Sequence, residues 1–380
     1  MQSITYKNEL VKRAFYKYLE NAKRFSPKSI DCYEKAVWLW EDFSHKADFR
    51  LFNQTKAEEF KDWLKNRQKK NAQESVGLSY CYDILRYLKV FFEWLSRQPN
   101  YRKINPTAIE YLNLTRGEAK MATQRKEKEF PSLEEVKTII ESIEGKTEIE
   151  MRDKALISLM FLTGARISAI TTLPMQVFDR KKLTIDQDPN LGVKTKNSKR
   201  IMTAIMEFSF YKEPLKYFLE WFDYLENEKK FKPSDPIFPA TKIENGKDNL
   251  GYYNTENVEP NFWKSTTSTR KIFEKRSEQA GVKYYHPHTF RNLLVKEISE
   301  LPLTEEQKKA FSQNLGHEDI GTTFGSYGYG KIGESKQIEI MKSINFGSDE
   351  SKKIIDNMQS TLSDNDIERI AKKLNALSKS

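Results

Sequence analysis

Residues 113–129, NLTRGEAKMATQRKEKE, carry almost no large apolar side chain and several basic ones. Such a stretch has too little to bury to belong to a core, and we read it as an extended basic linker. The chain on either side must then fold around a core of its own. Its 380 residues fit that division, because single cores seldom grow past about 250–300 residues. The expected organisation is a helical unit over residues 1–112, the linker 113–129, a second unit over 130–345 and a tail over 346–380.

Before the linker, apolar residues recur at helical spacing, as in Tyr33, Val37, Trp40 and Phe43, or Ile84, Tyr87, Leu88, Phe91 and Leu95. This predicts four helices. Ser26-Pro27 opens one, with a capping residue before a first-turn proline, and Gln98-Pro99-Asn100 closes another. Their faces are rich in Lys, Arg and aromatic side chains. A solvated helix surface accounts for any one of these, and only their sum points toward DNA.

After the linker, Ser132 followed by Glu135 has the spacing of a capping box and starts a new helix. Lys154 to Leu162 reads as a buried helix ended by Thr163-Gly164, with Arg166 just beyond. Short β-type runs at Leu183–Ile185, Gly192–Thr195 and Arg200–Ile205 are separated by Asp-Pro-Asn and Lys-Asn-Ser turns. Helical patterns return from Glu213 to Lys230 and again beyond Asn261. The fold class expected is mainly α with one small antiparallel β-sheet. Past Asn345 the chain turns polar, then ends in an amphipathic helix from Asp364 to Leu377, with Ile367, Ile370, Ala371 and Leu374 on one face.

Lys and Arg total 64 against 54 Asp and Glu, a net charge of +10. That excess favours a polyanionic partner through phosphate contacts and counterion release, and double-stranded DNA is the partner expected. No apolar run approaches the ~20 residues a membrane span needs, and the N-terminus lacks the apolar centre of a signal peptide. A cytoplasmic location follows as the expectation. The two cysteines, Cys32 and Cys81, have no zinc spacing. The absence of a GxxxxGK[ST] pattern argues against an ATP-driven enzyme. Glu318 and Asp319 form no convincing metal-ligand set, which disfavours a metal nuclease.

The chemistry concentrates in the second unit. In HPHTFR, His288 and Arg291 stand at i and i+3 behind Pro287, so both face one side of a helix. With His286 and His317, three of the four histidines crowd into this region. The order is Arg166 in TGARISAI, Lys194 in GVKTKNSKR, His288 and Arg291 in HPHTFR, His317 in NLGHED and Tyr327 in TTFGSYG. This resembles the tyrosine recombinases, or phage-type integrases, over about residues 130–330, and more loosely their helical core-binding domain before it. The resemblance implies a core-binding domain followed by an α+β catalytic domain. It also implies strand exchange through a phosphotyrosine without cofactor or metal, and assembly as a homo-tetramer on DNA.

Physical reasoning reaches the same roles. Phosphodiester transfer concentrates charge on non-bridging oxygens, and without a metal fixed cations must meet it, which suits the guanidinium forks of Arg166 and Arg291. His317 would supply a further hydrogen bond. Tyr327 is a weak nucleophile until a base takes its proton, and His288 is the candidate base. Lys194 on a hairpin tip would return a proton to the departing 5′-oxygen, with Lys196 and Lys199 competing for that role.

The chain departs from the family pattern in places. Ser326 stands nine residues after His317, where many relatives have the nucleophile, while Tyr327 stands at ten and Tyr329 is the second choice. Ala169 occupies a position often Glu in the family, and Asn292 one often His. The rival readings are a DNA-binding protein of this fold without catalysis and a type IB topoisomerase-like nicking-closing enzyme.

Overall fold

The structure is a computed structural model that describes residues 4–68, 74–124, 129–208, 211–245 and 252–325, together with 338, 341 and 342. Tyr327, Tyr329 and the helix expected over residues 364–377 lie outside the described residues. The chain divides into two compact units, one ending at Glu127 and the other beginning at Lys128.

The first unit is helical: α1 (Ile4–Asn21), α2 (Pro27–Phe43), α3 (Gln54–Lys65), α4 (Leu78–Ser96), α5 (Pro106–Glu110) and α6 (Arg116–Thr123). Ser26 caps α2, its hydroxyl accepting from the Ser29 amide at 3.3 Å. The helical stripes face inward as expected. Val37 and Trp40 from α2 meet Ile84, Leu88, Phe91 and Leu95 from α4 in the core. Trp40 lies edge-on to Phe92 at 5.0 Å and Phe52 stacks on Phe92 at 3.9 Å. Each such aromatic pair adds about 0.5–1.5 kcal/mol beyond its buried area.

The extended linker is corrected over its middle. Thr115 and Glu118 form a reciprocal capping box that starts α6, a signal the low apolar content concealed. Lys65 bonds Glu118 at 2.5 Å, the Ser79 hydroxyl donates to the Ala122 carbonyl at 2.8 Å, and small Ala122 is buried in place of a large side chain.

The second unit is built around α8 (Glu148–Thr163), which follows α7 (Leu133–Glu141) and is buried on every side from Ala155 to Thr163. Ser132 and Glu135 form the expected capping box of α7. Then come α9 (Ile167–Ile170), a three-stranded antiparallel sheet β1 (Phe178–Asp179), β2 (Thr184–Gln187) and β3 (Ile201–Ala204), and α10 (Glu213–Asp223), which continues into a π-helical turn over Tyr224–Glu228. A second antiparallel pair, β4 (Thr241–Asn245) with β5 (Tyr252–Val258), precedes α11 (Thr266–Gln279), α12 (Phe290–Ser299), α13 (Glu305–Asn314) and α14 (Ile320–Phe324). Among the described residues no helix is long and apolar enough to cross a membrane.

Two strand expectations change. Gly192–Thr195 is not a strand: Pro189–Leu191 make a 3-10 turn, and Gly192 then takes φ 88 before buried Val193. The β4–β5 pair adds a second sheet that was not expected, since its polar run lacks apolar alternation. Its base is fastened to α8. Glu148 accepts from the Val258 amide at 2.7 Å, the Tyr224 hydroxyl at 2.8 Å and Lys229 at 2.8 Å. Arg152 donates to the Pro239 carbonyl at 3.2 Å and the Thr241 hydroxyl at 2.9 Å.

Arg152 and Arg276 share one buried counter-charge. Asp153 accepts from both guanidiniums at 2.8 Å, and all three side chains are at most 4% exposed. Removing one member of a buried ionic set strands the others, so Asp153→Ala is expected to destabilise the protein by about 3–5 kcal/mol in urea unfolding. A loss under about 1 kcal/mol would mean that the two arginines are held by their other partners.

Candidate active site

The site is assembled around the end of α8. Thr163 closes the helix, and Gly164 turns the chain with φ 57. A Cβ at Gly164 would come within 2.9 Å of both Leu294 of α12 and Leu315 at the end of α13. Glycine suits this point, because it takes the left-handed turn without strain and leaves the two leucine side chains their room. Arg166 follows two residues later, half-buried at the start of α9, and its carbonyl accepts from Ala169 and Ile170.

On the opposing segment, His286 caps the turn Pro287–Thr289, its Nδ1 accepting from the His288 amide at 3.2 Å. This turn, rather than the helix expected to carry both, holds His288, half-buried, and runs into α12, where Arg291 is 2% exposed. The Arg291 guanidinium donates to the Leu315 carbonyl, tying α12 to the end of α13. Gly316, at φ 74, then reverses the chain, and a Cβ there would fall 2.4 Å from the Ile201 side chain of β3. His317 follows, 5% exposed, its amide bonded to the Ser312 carbonyl at 2.9 Å.

The loop between β2 and β3 is anchored to this turn. Lys199 pairs with Glu318 at 2.9 Å, the Thr203 hydroxyl donates to the Asn314 carbonyl at 3.0 Å, and the Lys194 amide donates to the Thr172 hydroxyl at 2.9 Å. Lys194 and Lys196 both have exposed side chains. Asn197 and Ser198 adopt φ 58 and 51, so the chain bends sharply just after Lys196.

Electrostatics shows which of these groups converge. Burial pushes the His317 imidazole down to about 3, and Arg291, Arg166, Lys196 and His288 press in the same direction. His317 is therefore an uncharged imidazole facing cations. Arg166, His288 and Arg291 are thus close enough to act on His317 electrostatically. Lys196 joins them electrostatically, whereas what fixes Lys194 is a backbone bond. Tyr327 and Tyr329 are not described, and the described chain leads to Gly325, two residues before Tyr327.

Two groups escaped sequence reasoning. Thr323 Oγ1 lies 2.8 Å from His317 Nδ1, and Ser312 Oγ lies 2.5 Å from Thr323 Oγ1. A Thr inside the TTF run was in view, but nothing in its spacing told a buried partner from a surface hydroxyl.

Comparison with known proteins bears on the same segments. The model of the phage integrase family matches residues 130–329. The tyrosine recombinase XerC of Lactobacillus delbrueckii subsp. bulgaricus is 24% identical over 314 residues, covering 81% of this chain and 90% of the relative. A lambda integrase fragment, solved as a dimer bound to a COC′ core site, has a TM-score of 0.56 at 13% identity, over 84% of this chain and 94% of that one. The Tn1549 transposon integrase, solved with circular intermediate DNA, has a TM-score of 0.56 at 15% identity, over 87% of this chain and 98% of that one. The two structural likenesses are of fold.

The depressed His317 has a consequence for stability. In the unfolded chain the imidazole titrates near its ordinary 6.5, so between that value and about 3 the unfolded state holds one more proton than the native state. Stability therefore falls as pH is lowered through 6.5. Between pH 6 and 5, wild type should lose more stability than His317→Gln, by up to about 1.4 kcal/mol per pH unit. Parallel curves for the two proteins in urea unfolding would contradict the burial argument.

Proposed function

The chain belongs to the phage integrase family, and on that footing we propose that it breaks and rejoins double-stranded DNA through a 3′-phosphotyrosine on Tyr327. It is a tyrosine-type site-specific recombinase. One observation supports the chemistry most: Arg166, Arg291, His288 and Lys196, from separate parts of the sequence, all bear on the buried His317.

In this reading Tyr327 Oη attacks the scissile phosphorus as His288 takes the phenolic proton. The new oxygen–phosphorus bond forms as the bond to the 5′-oxygen breaks. Charge building on the non-bridging oxygens is met by the Arg166 and Arg291 guanidiniums, the second of them held by the Leu315 carbonyl before the reaction. His317, uncharged, adds a hydrogen bond. The departing 5′-oxygen takes a proton from a lysine of the β2–β3 loop. The covalent link conserves the bond energy, so rejoining by the reverse steps calls for no nucleotide and no cofactor.

Lys194 is the proton donor the sequence favours. A second reading, Lys196, is favoured by its electrostatic reach to His317. Residues 1–127 hold 25 of the Lys and Arg against 16 of the Asp and Glu, an excess that suits the helical first unit to holding the duplex by its phosphates. Exchange between two sites takes four cleavages, and hence a tetramer on DNA.

The test uses the full chain with a nicked suicide duplex selected from random sequence by binding, in the absence of metal. A DNA-linked peptide at Tyr327, lost in Tyr327→Phe, is the expected result; an adduct on Tyr329 would move the nucleophile, and none on bound DNA would favour the non-catalytic binder. Arg291→Ala should slow adduct formation on the order of 10²–10³-fold. Of Lys194→Ala and Lys196→Ala, the slower variant identifies the acid, and it should recover on a duplex whose leaving group is a better one. Exchange between two such sites separates a recombinase from a nicking-closing enzyme.

A further inference from the structure

Thr172, 7% exposed and just past the end of α9, uses its hydroxyl in both directions. Its Oγ1 lies 2.9 Å from the Ser168 carbonyl and 3.1 Å from the Ala169 carbonyl, and the Lys194 amide nitrogen lies 2.9 Å from it. Chemistry fixes the roles. A backbone N–H only donates and a carbonyl only accepts, so the hydroxyl accepts from Lys194 and sends its one proton to α9. The bond to the fourth residue back is ordinary for a threonine at a helix end, where carbonyls lack an amide partner. The bond to Lys194 spans 22 residues and joins two parts of the site. On one side, the Arg166 carbonyl accepts from the Ala169 and Ile170 amides, so the backbone that Thr172 grips is the short helix that Arg166 begins. On the other, Lys194 follows Val193, whose side chain is 2% exposed in the core, and precedes Lys196, which acts electrostatically on His317.

We propose that Thr172 is a positioning residue whose hydroxyl holds the lysine-bearing turn, Lys194 to Lys196, in register with Arg166. The inference rests on the phosphotyrosine reading for its purpose, though not for its geometry. Proton transfer from a lysine ammonium to the departing 5′-oxygen leaves a neutral amine, and it takes place only within hydrogen-bond reach. Lysine is a point charge on a flexible four-carbon stem, so where it reaches depends on where its backbone starts. Packing of Val193 holds that start without direction, and the bond from the Lys194 amide to Thr172 supplies the direction. The chain bends on either side, with φ 88 at Gly192 and φ 58 and 51 at Asn197 and Ser198, so no regular strand holds the turn. Without the hydroxyl the Lys194 amide loses this acceptor. A donor left unmade is costly, and the turn shifts to find another partner.

The test pairs Thr172→Val, which puts a methyl in place of the hydroxyl, with Thr172→Ser, which restores it. In the full chain labelled with 15N-lysine, the Lys194 amide is assigned by its loss in Lys194→Arg, and its hydrogen exchange is followed. The amide is expected to be protected in wild type and Thr172→Ser and to exchange roughly 10-fold faster in Thr172→Val. Unchanged protection would overturn the proposal. Cleavage is then read on two nicked duplexes, one ordinary and one with sulfur in place of the departing 5′-oxygen, a leaving group that needs no proton. Thr172→Val should slow the first roughly 10–100-fold, as when a reacting group is misplaced by about 1 Å, and the second little, with serine restoring the rate. Combined with whichever of Lys194→Ala and Lys196→Ala has lost the acid, Thr172→Val should add nothing. Equal slowing on both duplexes, or a full further loss without the lysine, would reveal a merely structural role and overturn the proposal. Should Thr172→Val fail to fold, Thr172→Ala, which places no methyl against the Ser168 carbonyl, is read instead with the same expectations. A wild type whose Lys194 amide is protected through Thr172 yet makes no adduct would overturn the phosphotyrosine reading and leave the tie between α9 and the loop standing.

Discussion

The Arg291 guanidinium bound to the Leu315 carbonyl joins two segments that sequence holds 24 residues apart. It draws the end of α13 against α12, and the bare Cα atoms of Gly164 and Gly316 let α8 and β3 close on the same point. Three of the groups assigned to chemistry lie close to this junction in the chain. Arg166 follows the end of α8, His288 sits in the turn that runs into α12, and His317 comes two residues after Leu315. A charge-assisted bond to a backbone carbonyl suits the task, because it neutralises none of the arginine's charge and fixes its direction.

That choice explains the electrical character of the site. Arg291 is held in part by the dipole of a backbone carbonyl, and together with Arg166 and Lys196 it makes the surroundings of His317 positive. The cost falls on His317, which stays uncharged in their company. Lys199 is spared this role by Glu318, its partner at 2.9 Å.

The sequence made much of this readable where a local rule has a single outcome. Ser26-Pro27, Ser132 with Glu135, and Thr163-Gly164 marked helix ends because capping and left-handed turns depend on few residues. The helix that carries Arg291 was legible in HPHTFR, though His288 lies in the 3-10 turn ahead of it. What stayed hidden depended on partners distant in the chain. Ala122 is buried because α4 comes to it, and the polar β5 is a strand because Glu148 and β4 hold it. Gly192 has turn chemistry that the β-type pattern around Val193 masked. Thr323 and Ser312 looked like ordinary polar residues until the fold buried both beside one imidazole.

The β4–β5 pair is clasped at its base by Glu148 and Arg152, one turn apart on the same buried helix. Those clasps take hold of Val258 and Thr241, the residues where the pair enters and leaves the body of its unit. The body therefore constrains where the excursion starts and ends and leaves its length open. Descendants of this chain have in it a cassette: a segment whose size and surface are free to drift while the helix that frames the reaction keeps its place.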